Sequence, residues 1–256
     1  MSVDQKKLII HPIPLFQTFG DKSRQTYRLN LGQPLALVNY VWYIEGTKEK
    51  ILVDAGGSPD FFRKIGIPLE EIQTLDSGLK KVGVEFGDID LIILTHLHHD
   101  HVAQASQFQK AKFLVQKDEF EFSQRPHPAV ASSYVHDFFD GLDFVILDGD
   151  AKISDGISVI KTPGHSKGGQ SVGIQTGQGL VIISGLCTIR ENFEPPISLA
   201  RTYSVIVPTI HIDVLEAYDN LIRLKQLADK VLPLHDSHEN LRYFDQNAVR
   251  FELPDK

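Results

Sequence analysis

The segment Thr95-His96-Leu97-His98-His99-Asp100-His101 sets five metal-competent side chains within six consecutive residues, directly after the apolar run Ile89-Asp90-Leu91-Ile92-Ile93-Leu94. Such a run reads as a buried β-strand whose end delivers a donor-rich loop. Neutral imidazoles and one carboxylate suit Zn²⁺, with Mn²⁺ or Fe as alternatives. His96 and His98 can converge on one ion, while Asp100 and His101, just past a turn, can reach a second. The chain therefore has to bury this strand and leave its end open.

Composition agrees with one enzyme domain spanning residues 1–256. A hydrophobic fraction of 42% is enough for a sizeable core and argues against disorder. The formal net charge of −7 gives no electrostatic footprint for nucleic acid. No apolar run approaches membrane-spanning length, and residues 1–7 lack the apolar stretch of a signal peptide. The expectation is a cytoplasmic protein acting on a small molecule, with no nucleic-acid or membrane partner and homo-oligomerisation left open. Cys187 is the one cysteine, which excludes an intrachain disulfide.

Periodicity places further elements around the histidine loop. Leu35 to Glu45 and Lys50 to Asp54 read as paired strands around Gly46-Thr47-Lys48, and Pro68 to Val82 as an amphipathic helix. Lys112 to Gln116 reads as a strand followed by a helical stretch from Asp118. Phe144 to Leu147, Ala151 to Ile153 and Ile157 to Lys161 look like short antiparallel strands. Gln170 to Gln175 and Leu180 to Ser184 read as a hairpin around Gly177-Gln178-Gly179. The clearest helix starts at Asp213, where Asp213 and Glu216 make a capping-box-like start.

A second histidine loop, Thr162-Pro163-Gly164-His165-Ser166, follows the strand-like Ile157 to Lys161, and a third is Leu232-Pro233-Leu234-His235-Asp236. With Lys50-Ile51-Leu52-Val53-Asp54-Ala55-Gly56-Gly57 upstream, this order resembles the metallo-β-lactamase superfamily from about Leu35 to His235. The resemblance implies an α/β protein, an αββα sandwich of two mixed β-sheets flanked by helices, with its site in loops along one edge. It implies two divalent ions, zinc foremost. His96, His98 and His165 would hold one, and Asp100, His101 and His235 the other, with Asp54 as support behind the loop.

One position departs from the family pattern. The bridging aspartate expected after Leu180-Val181-Ile182-Ile183-Ser184 falls on Gly185 or on Leu186, depending on the alignment. Neither is a carboxylate. Cys187 follows, and a thiolate is a good zinc ligand, so Cys187 joins the candidate metal-site residues. Arg190, three residues on, is a candidate substrate contact by its likeness to one β-lactamase subclass.

The chemistry expected of two adjacent cations is hydrolysis by a water that they deprotonate, with Asp100 shuttling a proton to the leaving group. Glu191-Asn192-Phe193-Glu194-Pro195-Pro196, Pro208-Thr209-Ile210-His211 and Glu216-Ala217-Tyr218 look most like the lactonase branch, which opens acyl-homoserine lactones and related rings. His211 is a candidate pocket residue, while Thr188 stands where that branch often has a substrate-facing tyrosine. His11, His99, His127, His136 and His238 read as structural or solvent-exposed. A cyclic ester or cyclic amide is the expected substrate. The alternatives are a β-lactam, thioester or phosphodiester hydrolase on the same fold, or a metal-binding homologue without turnover. The acidic balance counts against a nuclease.

Overall fold

The computed structural model describes residues 7–237 and 248–250; His238 and residues 1–6 of the segment read for a signal peptide lie outside the described residues. Strands β1 (Ile9–Asp21), β2 (Pro34–Glu45), β3 (Ile51–Val53), β4 (Leu69–Glu71), β5 (Leu91–Ile93), β6 (Lys112–Gln116) and β7 (Phe144–Leu147) form one sheet in the order β4-β1-β2-β3-β5-β6-β7. Strands β8 (Ala151–Ser154), β9 (Ile157–Lys161), β10 (Gln170–Thr176), β11 (Gly179–Ile183) and β12 (Lys230–Leu232) form the other, in the order β12-β11-β10-β9-β8. Both sheets are mixed. Strands β3, β5, β6 and β7 run parallel, as do β11 and β12, and the remaining pairs are antiparallel.

The period-2 alternation of side chains sorts the apolar residues into layers. In β2, Val38, Tyr40, Trp42 and Ile44 face the second sheet and pack with Val159, Val172, Ile174, Val181 and Ile183. Val41 and Tyr43, on the opposite face, pack under α1 (Pro59–Lys64) and α2 (Leu75–Lys81) through Phe62, Leu75 and Leu79. The short α3 (His99–Val102) joins that layer through Val102, and α4 (Lys117–Gln124) through Phe120 and Phe122. On the far side of the second sheet, Ile160 and Ile182 meet Ala217, Leu221 and Leu224 of α7 (Val214–Leu227). Two short helices, α5 (Arg190–Phe193) and α6 (Ile197–Ala200), precede it. The result is the helix–sheet–sheet–helix sandwich that the resemblance implies. No helix among the described residues is long and apolar enough to cross a membrane.

Three local readings are corrected. The stretch from Pro68 to Val82 is not one helix: Leu69–Glu71 is a strand, and Ile72 and Gln73 donate backbone N–H groups to Leu15. The helix starts only after Thr74, whose hydroxyl accepts the Ser77 N–H as an N-cap. Phe144–Leu147 pairs in parallel with β6 at the edge of the first sheet rather than joining the antiparallel strands that follow it. The long β1 has no counterpart in the sequence reading. Pro12 and Pro14 obscure it, and they are tolerated because β4 pairs only with Phe16, Gln17 and Thr18, leaving the proline-bearing stretch free of that neighbour.

Ile174 lies fully buried between the sheets. Ile174→Ala should lower the unfolding free energy by about 2–5 kcal/mol, seen as a lower urea midpoint with an unchanged slope.

Candidate metal centre and reaction pocket

The candidate donor residues sit at strand ends along one edge of the sandwich. His96 and His98 follow β5, Asp100 and His101 form the first turn of α3, His165 follows β9, Cys187 follows β11 and His235 follows β12. Strands β9, β11 and β12 all run in one direction, because β10 is antiparallel to both β9 and β11 while β12 is parallel to β11. Their C-terminal ends therefore open on the same edge.

Asp54, just after β3, holds the histidine loop from behind. It is fully buried and sits in the left-handed backbone region at φ +60, which aspartate tolerates better than most residues. Its carboxylate accepts the Thr95 N–H at 2.7 Å and the Thr95 hydroxyl at 2.9 and 3.0 Å. It also accepts the His101 Nδ1–H at 2.7 Å. Asn39 of β2 adds a second brace, donating to the Asp100 carbonyl at 2.7 Å and accepting from Gly57 N–H at 2.9 Å.

These partners fix the tautomers, and the tautomers make the metal argument. The Thr95 hydroxyl gives its proton to Asp54, so its oxygen accepts from His96 Nδ1 at 3.0 Å. His165 Nδ1 donates to the Ile210 carbonyl at 2.7 Å. Both Nε2 atoms then carry bare lone pairs, and they face each other at 3.1 Å. His98 Nε2 is buried beside them without a hydrogen-bond partner. Converging lone pairs in a buried site repel one another unless a cation lies between them. The donor atoms of His96, His98 and His165 lie within 4.8 Å of one another, and so do those of His96, Asp100 and His101. His235 donates through Nδ1 to the Val38 carbonyl at 3.2 Å and points Nε2 at Asp100 Oδ2, 3.7 Å away. The residues present fit divalent ions.

Electrostatics separates His101 from the other histidines of the site. Burial, reinforced by neighbouring histidines, holds His96 and His98 well below the ordinary histidine range. Burial brings His165 and His235 down to about 4, so these four rings are neutral and ready to ligate at pH 7. His101 behaves oppositely. Burial opposes its charge, but the Asp100 and Asp54 carboxylates outweigh that and push it up to about 10. Burial would raise Asp100, yet His101 beside it, with Oδ2 at 3.2 Å from Nε2, keeps it well below the usual carboxylate range.

The remaining sequence candidates divide. Cys187 lines the same cleft as His98, Asp100, His165 and His235, but belongs to neither donor group. Burial pushes its thiol up to about 12, and it pairs with Gln25 at 3.4 Å. Gly185 cannot carry a side chain here, since a Cβ would fall 1.9 Å from the Gln170 carbonyl oxygen. Leu186 points into the core under α7. Thr188 is tied to the backbone N–H groups of Leu234 and His235. Arg190 is not brought to the centre: its guanidinium meets Glu194 at 2.7 Å and lines a separate cleft of about 370 Å³ with no histidine among the described residues of its wall. His211 sits beside Ile210, with Nδ1 donating to the Pro208 carbonyl at 2.7 Å and its ring edge-on to Tyr27.

His99, read as structural or exposed, packs on Phe61 and Phe62 and lines the reaction cleft. The sequence offers Phe62 as a pocket residue or as core, and it lines this cleft; sequence reading missed Gln25 and Asn39, and the rest of the apolar wall made by Phe16, Phe19, Leu35, Leu37 and Ile67. All but two of those eight residues lie on β1, β2 or the loop between them, before the first residue of the histidine loop, and carry no local motif.

The family model described as the metallo-beta-lactamase superfamily matches residues 35–233. The chain belongs to that superfamily. It is a metal-dependent hydrolase by that membership and by its donor set. It is 28% identical over 237 residues to an N-acyl homoserine lactonase of Bacillus thuringiensis, covering 87% of this chain and 89% of the relative. Over 111 residues, 40% of this chain and 42% of the relative, it is 30% identical to the N-acyl homoserine lactonase AttM of Agrobacterium fabrum. Among solved structures it is similar to a quorum-quenching N-acyl homoserine lactone lactonase, with TM-score 0.76 and 27% identity over 95% of this chain and 98% of that one. A variant of B. thuringiensis AiiA with N-decanoyl-L-homoserine bound at its active site aligns with TM-score 0.73 and 26% identity, covering 93% and 96% of the two chains.

Because His101 holds a proton up to about pH 10 in the metal-free protein, an ion binding at its Nε2 has to displace that proton. Calorimetric titrations at about pH 7.5 in buffers of differing ionisation enthalpy should show about one proton released for this ion, with affinity rising as pH rises. Binding that is independent of both buffer and pH would remove His101 from the ligand set.

Proposed function

We propose that this chain is a lactonase that opens the ring of N-acyl homoserine lactones, with zinc as the resident metal. The observation that carries the reading is a cleft of about 180 Å³ lined both by imidazole donors with Asp100 and by the apolar side chains of Phe16, Phe19, Leu35, Leu37, Phe62 and Ile67. A compact ester ring fits the polar groups, and an acyl chain fits the apolar side chains. The names of the relatives support the same substrate class.

His96, His98 and His165 would hold one ion, and Asp100, His101 and His235 the second, with zinc favoured by the imidazole-rich set. Bound there, the ions would polarise the lactone carbonyl and make water acidic enough to attack it at neutral pH. Asp100 handles the proton. Its Oδ2 stands between His101 and His235, and Asn39 fixes its backbone carbonyl. Asp100, a carboxylate at rest, would take the proton lost by the attacking water and hand it to the leaving alkoxide as the ring C–O bond breaks, giving a free hydroxyl and a carboxylic acid that ionises. Cys187, outside both donor groups, serves with Gln25 as a wall of the cleft rather than as a ligand. Arg190 and His211 take no part in this arrangement.

Ring opening releases an acid, so a pH-indicator assay with zinc-loaded protein and an N-acyl homoserine lactone reads the reaction directly. Asp100→Asn should cut kcat by about 10²–10⁴-fold. Cys187→Ala should leave zinc content unchanged. No acid release from acyl homoserine lactones, with turnover of a β-lactam or thioester instead, would overturn the assignment.

A further inference from the structure

Glu119, on α4, is a fully buried carboxylate to which neither the metal donors nor the cleft wall gives a role. Its Oε1 accepts the Leu97 N–H at 3.0 Å and the Tyr134 hydroxyl at 3.2 Å, and its Oε2 accepts the Gly168 N–H at 2.9 Å. Leu97 is the residue between His96 and His98, and Gly168 lies three residues after His165. One carboxylate thus joins two loops that come from different sheets. Tyr134 extends the link, because its ring lies edge-on to His98 with centroids 4.8 Å apart. The loop approaches α4 so closely that a Cβ on Gly168 would fall 2.1 Å from the Glu119 nitrogen.

A buried carboxylate is costly unless its lone pairs are met. Here the groups that meet them are the backbones carrying three imidazoles of one donor group. We propose that Glu119, with Tyr134, is a positioning residue that locks the two loops in register and so sets metal affinity at the His96, His98 and His165 group. The proposal rests on the metal reading of that group. It predicts that the clamp acts on ion binding more than on the fold, since outer-shell partners of metal ligands change affinity by about 10–100-fold.

The test measures zinc affinity in the full chain by competition with a chromophoric chelator, and thermal unfolding of the metal-free and zinc-loaded forms. In Glu119→Gln an amide N–H₂ faces a backbone N–H, so zinc affinity should fall about 10–100-fold. The gap between metal-free and loaded melting temperatures should narrow with it. Tyr134→Phe removes a single hydrogen bond, keeps the ring on His98, and should give a smaller loss in the same direction. Should Glu119→Gln fail to fold, Tyr134→Phe alone decides. Affinities within twofold of wild type in every variant that folds would overturn the proposal, with Glu119 then serving the fold alone. Wild-type protein that binds no zinc would instead overturn the metal reading of the site.

Discussion

The site depends on one buried carboxylate, that of Asp54. With no solvent to satisfy it, Asp54 takes the backbone N–H and hydroxyl of Thr95 and the Nδ1–H of His101. Each of those bonds has a consequence one atom further on. Spending the Thr95 proton on Asp54 obliges Thr95 to accept from His96, which bares His96 Nε2. Taking the His101 Nδ1 proton turns Nε2 of that ring toward Asp100. The geometry of the donors thus follows from hydrogen-bond bookkeeping behind them, not only from the histidines themselves.

The sandwich supplies the rigidity this arrangement needs. The two sheets are joined at the site by more than apolar packing. Gln170 at the start of β10 donates its backbone N–H to Thr95 and its side-chain amide to the Leu94 carbonyl, while Gln116 at the end of β6 reaches the Gln170 side chain at 2.8 Å. Buried polar links of this kind hold only in one register, so they fix the relative height of the two sheets where the loops must meet. The apolar layer between the sheets, from Trp42 to Ile183, supplies the driving force without specifying that height.

The absence of a carboxylate at Gly185 or Leu186 has a steric side. Gly185 packs against the Gln170 backbone, and Leu186 is committed to the layer under α7. The segment after β11 therefore offers the cleft only Cys187, whose thiol is pushed up by burial, against the opposing hydrogen bond from Gln25. Among the described donors, negative charge at the centre comes from Asp100, with the Asp54 side chain behind His101.

The sequence determined the donor loops and their order, because each is a short motif at the end of an apolar strand and both signals are local. His96, His98, Asp100, His101, His165 and His235 were legible for that reason, as were Asp54 and the α7 start at Asp213. It could not show that Pro68–Val82 breaks into a strand and a helix, since Ile72 and Gln73 bond to Leu15 more than fifty residues away. Nor could it place Gln25, Asn39, Glu119 or most of the apolar wall. Those side chains acquire meaning only when β1, β2 and α4 are brought against the loops. Likewise Cys187 and Arg190 stand three residues apart in the chain yet face different clefts. Ligand chemistry is written in residue type and spacing, whereas orientation and second contacts are set by packing across the two sheets, which no local pattern encodes.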